Sequence, residues 1–253
     1  MLSSTYNVIK SFERRLRRKL KGQTLAGLPP DFDPAFKPIY DACKAFTMTS
    51  AHRMNALHEA VKYIVAAKIE GDIVECGVWR GGSTMVAALT LLGLNVEPRD
   101  LYLYDTFEGM SEPSEKDITT DGRNARDRWE KSQEGNTNQW CYAPLDDVKN
   151  NLASTNYPEI KLHFVQGKVE DTIPNTAPRR IAILRLDTDW YESTYHNLLH
   201  LYPRLAIGGV LILDDYGAWE GAREATDQYF REIGKSLFLG RIDEVSRVAI
   251  KTP

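Results

Sequence analysis

Short apolar segments alternate with helical patterns along most of this chain. The segments 73–78, 101–104, 161–166, 181–186 and 209–213 are apolar and short, as is typical of buried strands. Apolar residues recur at helical spacing in 51–68, 83–92, 193–205 and 221–233. Strands separated by helices run parallel and are joined by right-handed crossovers. The alternation therefore predicts an α/β fold built on a mostly parallel sheet.

The C-terminal end of the chain departs from this alternation. Segments 237–242 and 247–251 flank a short polar turn, 243–246, which is typical of a β-hairpin. A parallel sheet completed by an antiparallel hairpin is the architecture of Rossmann-like methyltransferases. We expect one such domain over residues 41–253.

The first 40 residues have a pattern of their own. Ile9, Phe12, Leu16 and Leu20 form an apolar stripe, and basic residues fill the other face, which predicts a basic helix ending near Gly22. A Pro-rich linker, 28–38, follows it. The helix could dock on its own domain or on a second copy in a homo-oligomer, make weak contact with a membrane surface through residues 6–21, or form a disordered tail.

Charge and composition exclude several classes of protein. Lys and Arg number 32 and Asp and Glu 35, so the net charge of −3 argues against nucleic-acid binding. The sequence has no apolar run of about 20 residues and no secretory signal, which predicts a cytoplasmic protein. The three cysteines show neither metal-site nor disulfide spacing.

A glycine-rich turn follows the first predicted strand. Gly77, Gly81 and Gly82 allow the backbone to approach a ligand closely, and the next helix offers free N–H groups at its start. The turn matches neither a Walker A loop nor a good GxGxxG pattern. Asp105 ends the second strand and could accept hydrogen bonds from a ribose, or cap a turn.

Four aspartates follow two later strands. Asp187 and Asp189 end one strand, and Asp214 and Asp215 end the next. Because the ends of adjacent parallel strands are neighbours, we expect the four carboxylates to converge, where repulsion would raise their pKa values. Mg²⁺ would remove that conflict, with three carboxylates as ligands and the fourth free as a base. Alternatively, Asp189 or Ser193 caps the following helix.

These motifs resemble the TylF/MycF family of sugar O-methyltransferases, whose fold is the class I methyltransferase fold. The resemblance covers about residues 47–216 and rests on the motifs GDIVECGVWRGG (71–82), DTFEG (105–109), GKVEDTIP (167–174), LDTDWYEST (186–194) and GGVLILDDY (208–216). It implies S-adenosylmethionine as the methyl donor, Mg²⁺ as the metal, and a small-molecule or glycan acceptor.

The resemblance also implies roles for individual residues. Asp187, Asp214 and Asp215 correspond to Mg²⁺ ligands, and Asp189 to the general base. The implied donor-binding residues are Thr47, Met48, Thr49, Arg53, Glu75, Gly77, Trp79, Ser83, Asp105, Thr106, Phe107, Gly167, Lys168, Val169 and Asp187.

The acceptor stays open at this stage. No acceptor-binding residue can be carried over to 111–142, a long polar segment that we interpret as a lid. The acceptor hydroxyl could belong to an antibiotic sugar, a polysaccharide sugar or another polyol. Two other functions compete: a phosphohydrolase or phosphotransferase that uses the Asp-x-Asp pair at 187–189, and a non-catalytic cofactor-binding protein.

Overall fold

Residues 27–253 are described by a computed structural model of the chain. A seven-stranded sheet forms its centre, in the order β5-β2-β1-β6-β7-β9-β8. The strands of this sheet are β1 (Asp72–Cys76), β2 (Leu101–Asp105), β5 (Leu162–Gln166), β6 (Ile181–Leu186), β7 (Leu205–Leu213), β8 (Gly240–Arg241) and β9 (Arg247–Ile250). The first five run parallel, whereas β9 runs antiparallel to β7 and to β8. The predicted parallel sheet with its antiparallel end is confirmed.

Helices cover both faces of the sheet. They are α1 (Phe36–Cys43), α2 (Ala51–Ala66), α3 (Gly82–Gly93), α4 (Arg126–Lys131), α5 (Leu145–Ala153), α6 (Val169–Thr172), α7 (Tyr191–Leu201) and α8 (Glu220–Glu232). Side chains alternate between faces along each strand. Ile73 therefore joins a cluster with α2 and α3, and its neighbour Val74 joins a cluster with α7 and α8.

Several predicted boundaries shift in the structure. Helix α7 ends at Leu201, four residues earlier than predicted, because Pro203 has no backbone N–H to continue the helical hydrogen bonds. A 3₁₀ turn follows at Tyr202–Arg204, and β7 then begins at Leu205 rather than at residue 209. The C-terminal hairpin has one very short strand, Gly240–Arg241.

The segment before residue 41 contributes to the core. Leu28, Phe32 and Phe36 are buried in the same apolar cluster as helix α2. Helix α1 spans the boundary that we expected after residue 40. The predicted basic helix lies outside the described residues. Within residues 27–253, no helix combines the length and the hydrophobicity needed to cross a bilayer.

The expected lid segment, 111–142, contains some regular structure. Helix α4 is followed by a small antiparallel ribbon of β3 (Gln133–Glu134) and β4 (Thr137–Asn138). The first part of the segment 111–142 forms isolated β-bridges, and one of them joins Thr119 to Trp219, just before helix α8. One end of the segment is therefore attached to the element that follows β7.

Candidate active site

The turn after β1 brings two strands into contact at the carboxyl edge of the sheet. Gly77 has φ +83°, and a Cβ atom built there would lie 1.8 Å from the backbone oxygen of Asp187. The Asp187 N–H donates to the Cys76 carbonyl at 2.8 Å. Only glycine fits at residue 77, because a side chain would push the end of β6 away.

A first cleft opens beside this turn. We call it the donor cleft because the family resemblance implies that several of its residues bind the methyl donor. Its lining comes from the ends of β1, β2, β5 and β6: Gly77, Tyr104, Asp105, Thr106, Gly109, Met110, Ser111, Gly167, Lys168, Val169, Glu170, Asp187, Thr188 and Ser193. Glycines at 77, 109 and 167 all have positive φ, so backbone rather than side chain forms much of the wall.

Asp105 lines the donor cleft but is already hydrogen-bonded. Its Oδ2 accepts from the backbone N–H groups of Val78 at 2.7 Å and Trp79 at 3.0 Å. Its Oδ1 accepts from the Phe107 N–H at 2.8 Å. Both carboxylate oxygens therefore hold the two turns that border the cleft, so the turn-cap interpretation of Asp105 describes its contacts in this structure.

A second cleft, the carboxylate cleft, lies on the other side of Asp187 and has a volume of about 270 Å³. It is lined by Thr47, Met48, Thr49, Arg53, Val78, Trp79, Ser83, Arg128, Trp140, Cys141, Asp187, Asp189, Asp214, Asp215 and Trp219. Acidic and aromatic side chains thus share one pocket. Asp187 borders both clefts.

The buried side chain of Arg185 forms ion pairs with three acidic side chains. Arg185 Nη1 donates to Glu75 Oε1 at 2.8 Å and to Asp187 Oδ2 at 2.7 Å. Its Nη2 donates to Asp214 Oδ1 at 2.7 Å. Because Arg185 is 3% exposed, these charge-assisted bonds lie in a low-dielectric environment, where each fixes its carboxylate firmly.

Three of the predicted carboxylates have the spacing of a metal site. One oxygen from each of Asp187, Asp214 and Asp215 lies within 4.8 Å of the others. Burial raises the pKa of both Asp187 and Asp215 well above the usual value. The positive charge of Arg185 opposes this rise at Asp187, and neighbouring aspartates add to it at both residues. A divalent cation would favour the ionised forms, and oxygen donors suit Mg²⁺. The donor set therefore fits this metal.

Asp189 occupies a distinct position beside the three. Its φ is +61°, a strained conformation for a residue with a side chain, and its N–H donates to Asp215 Oδ2 at 3.1 Å. Its Oδ1 accepts from the indole N–H of Trp219 at 2.6 Å. Burial raises the pKa of Asp189 to about 6, although the Trp219 hydrogen bond opposes this rise.

Arg53 connects helix α2 to the cleft and to the C-terminal hairpin. Its Nη1 donates to Asp214 Oδ2 at 2.6 Å, and its Nε donates to Asp243 Oδ2 at 2.7 Å. Asp214 therefore contacts two guanidinium groups, since Arg185 holds its other oxygen. The start of α2 and the adjacent residues 47–49 form one wall of the cleft.

Most of the predicted site residues line one of the two clefts, but the implied donor-binding residues are divided between them. Those lining the carboxylate cleft, beside the four aspartates, are Thr47, Met48, Thr49, Arg53, Trp79 and Ser83. Those lining the donor cleft are Gly77, Asp105, Thr106, Gly167, Lys168 and Val169.

The exceptions, which line neither cleft, are Glu75, which is buried against Arg185 and Thr84, and Phe107, which is buried in the core. Sequence reasoning missed Arg185 and Trp219. The signal for Arg185 was present, because a charged residue within the apolar strand 181–186 requires buried partners of opposite charge.

Comparison with known proteins identifies the family. The model of the TylF macrocin-O-methyltransferase family matches residues 38–249. The chain belongs to the TylF family. It is an O-methyltransferase, and S-adenosylmethionine is its methyl donor.

Two relatives and one solved structure illustrate the similarity of this TylF-family chain to known enzymes. A tetracenomycin 4′-O-methyltransferase of Streptomyces olivaceus is 35% identical over 85% of this chain and 78% of its own length. The mycinamicin III 3″-O-methyltransferase of Micromonospora griseorubida is 31% identical over 79% of this chain and 76% of its own length. The O-methyltransferase NovP has a TM-score of 0.72 at 27% identity, covering 82% of this chain and 83% of NovP.

Proposed function

We propose that this TylF-family enzyme methylates a hydroxyl of a sugar or of a glycosylated natural product, with Mg²⁺ in the carboxylate cleft. The supporting observation is the shared border of the two clefts at Asp187. A donor in one cleft and an acceptor in the other would meet there. One relative is named for a rhamnosyl-tetracenomycin and another for mycinamicin III.

The donor cleft would bind the nucleoside part of S-adenosylmethionine. Glycines at 77, 109 and 167 form part of its wall, and Asp105 keeps the two bordering turns in place. Alignment of the methyl group with the attacking oxygen supplies much of the acceleration in such a transfer. In this step the protein would hold the donor and the acceptor in the two clefts that share Asp187.

Asp189 would take the proton of the acceptor hydroxyl. Trp219 engages its Oδ1, which leaves Oδ2 for the proton. Asp187, Asp214 and Asp215 would hold Mg²⁺. When bound, the metal supplies polarisation of the hydroxyl and so lowers its pKa. The half-buried ring of Trp79 lines this cleft and offers a surface that can pack against a sugar ring.

The segment 111–142 would act as the acceptor lid. Arg128 and Trp140 belong to it and line the carboxylate cleft, with the guanidinium 4.2 Å from the ring centroid of Trp140. Closure over the acceptor would exclude water from the reacting groups. The choice of acceptor would then depend on Arg128 and Trp140 rather than on the aspartates at the strand ends.

Metal removal tests the proposal directly. We expect EDTA to abolish methyl transfer to nucleotide sugars, glycans or glycosylated natural products in a screen, and added Mg²⁺ to restore it. Donor binding, measured by calorimetry under the same conditions, checks that the protein stays folded. Full turnover in excess EDTA would contradict the metal proposal.

Replacement of the proposed base separates chemistry from binding. We expect Asp189→Asn to lower kcat by about 100-fold or more, because the amide cannot accept the hydroxyl proton. The affinity for S-adenosylmethionine should stay within about twofold, since the proposal places the nucleoside part of the donor in the donor cleft, which Asp189 does not line. Loss of donor binding with an unchanged kcat would reverse the assignment.

A further inference from the structure

Three tryptophans meet at the junction of the lid segment and the carboxylate cleft. Trp140 belongs to the lid, Trp190 follows Asp189, and Trp219 precedes helix α8. Their ring centroids are 5.0 Å apart for Trp190 and Trp219, 5.5 Å for Trp140 and Trp190, and 6.1 Å for Trp140 and Trp219. All three are buried, so this tryptophan cluster is a packed unit that includes both the lid and the residue beside the proposed base.

Two indole N–H groups of the cluster have different acceptors. Trp190 Nε1 donates to the Ser111 carbonyl at 2.9 Å, which holds the first residue of the lid segment. Trp219 Nε1 donates to Asp189 Oδ1 at 2.6 Å. An indole N–H can only donate, so its partner oxygen must remain an acceptor. Trp219 therefore fixes the rotation of the Asp189 carboxylate, and with it the direction of the second oxygen.

The lid segment in turn fixes Trp219. The backbone of Trp219 forms a bridge with Thr119. On either side, the Thr120 N–H donates to the Ala218 carbonyl at 3.0 Å, and the Glu220 N–H donates to the Ile118 carbonyl at 2.8 Å. The start of the lid thus determines the position of the residue that orients Asp189.

We propose that Trp219 is a positioning residue that orients the Asp189 carboxylate for proton transfer and couples this orientation to the lid. The proposal rests on the proposed function of Asp189 as the base. The contact needs the indole N–H itself, not only the ring. Rotation of the carboxylate away from the acceptor lowers the rate without weakening donor binding, because reaction depends on alignment to within about 1 Å.

Two matched substitutions in the same cluster test the proposal. Trp219→Phe and Trp190→Phe each keep a ring and remove one indole N–H. We expect Trp219→Phe to lower kcat roughly 10- to 100-fold, with the KM for S-adenosylmethionine within about twofold. Trp190→Phe should lower kcat much less than Trp219→Phe does and should raise the acceptor KM, because its N–H contacts the lid and not Asp189. Equal losses of kcat in both variants would overturn the proposal, because they would indicate a packing role alone.

A spectroscopic measurement tests the hydrogen bond between Trp219 and Asp189 without turnover. The chain has five tryptophans, so five indole ¹⁵N–¹H signals are expected, and single Phe variants at the other four positions identify that of Trp219. Asp189→Asn changes the acceptor of the Trp219 indole N–H, so it should shift the Trp219 signal more than the Trp190 signal, whose acceptor is the Ser111 carbonyl. An unmoved Trp219 signal would overturn the proposal. Absence of methyl transfer by the wild-type enzyme would instead reject the proposed function and leave this readout valid.

Discussion

At the scale of single residues, Gly77 has the strictest steric requirement in the site. We expect Gly77→Ala to destabilise the fold by about 3 kcal/mol or more, since the new Cβ would meet the Asp187 oxygen at 1.8 Å in a left-handed backbone conformation. Urea unfolding measures the change.

Gly93→Ala is the matched control for this substitution. Gly93 ends helix α3, and its φ is not positive. No neighbouring atom lies within 4 Å of the position that a Cβ would take there, so alanine should leave stability unchanged or raise it slightly. Similar unfolding curves for the two variants would contradict the close contact between the turn and β6.

Residue roles were predictable where several signals coincide. The four aspartates were expected to converge, because the carboxyl ends of adjacent strands are neighbours, and they line one cleft. The partners of Asp105 and Asp189 were not predictable. Whether a carboxylate faces a ligand, a backbone N–H or an indole depends on turn geometry and on residues far apart in the chain, such as Asp189 and Trp219.

At the scale of elements, one aspartate joins the C-terminal hairpin to the start of helix α2. Asp243 accepts from the N–H groups of Val245 and Ser246, from Arg53 and from Ser50. Burial opposes its ionisation, but these hydrogen bonds outweigh burial and hold the pKa of Asp243 well below the usual value of 3.8. The ionised carboxylate therefore stabilises the folded state.

The lowered pKa of Asp243 predicts how the stability of the fold depends on pH. Because the folded-state pKa is lowered, the stabilisation is fully present above pH 3.8 and is lost as the pH falls further. We expect Asp243→Asn to cost about 1–2 kcal/mol at pH 7 and the difference from wild type to narrow below about pH 4. Thermal unfolding from pH 7 to pH 3 measures it.

Asp31→Asn is the control for this pH series. Asp31 is exposed, and its carboxylate forms no hydrogen bond or ion pair within residues 27–253, so the substitution should leave unfolding nearly unchanged from pH 7 to pH 3. If the Asp243→Asn difference widened as the pH fell, the bound carboxylate would not be the stabilising group.

Elements with strong periodicity were predicted best. Most residues of the five parallel strands are apolar, and the strands occur close to their expected positions. Helix α4 and the β3–β4 ribbon were not predicted in 111–142, because their residues are mostly exposed and carry no apolar period. Contacts to other elements stabilise this segment, such as the bridge to Trp219, and local sequence does not encode such contacts.

At the scale of the whole molecule, the N-terminal sequence predicts a function apart from catalysis. Removal of residues 1–22 should change the oligomeric mass or the binding to anionic vesicles, because the predicted helix combines an apolar stripe with a basic face. Light scattering and vesicle sedimentation measure the two properties.

Donor binding serves as the control for this truncation. The family match begins at residue 38, so calorimetry with S-adenosylmethionine should give the same affinity for the truncated and the full chain. A truncated protein with unchanged mass, unchanged vesicle binding and an intact fold would contradict the prediction.

Asp187 stands in the wall of both clefts, and this position has a thermodynamic consequence. A ligand that moves or neutralises this carboxylate from one side alters the free energy of binding on the other. Linkage requires the effect to be reciprocal: the factor by which a metal proposed to bind in the carboxylate cleft would change the affinity for the donor equals the factor by which the donor would change the affinity for that metal. The degree of saturation with one ligand therefore sets the apparent dissociation constant of the other.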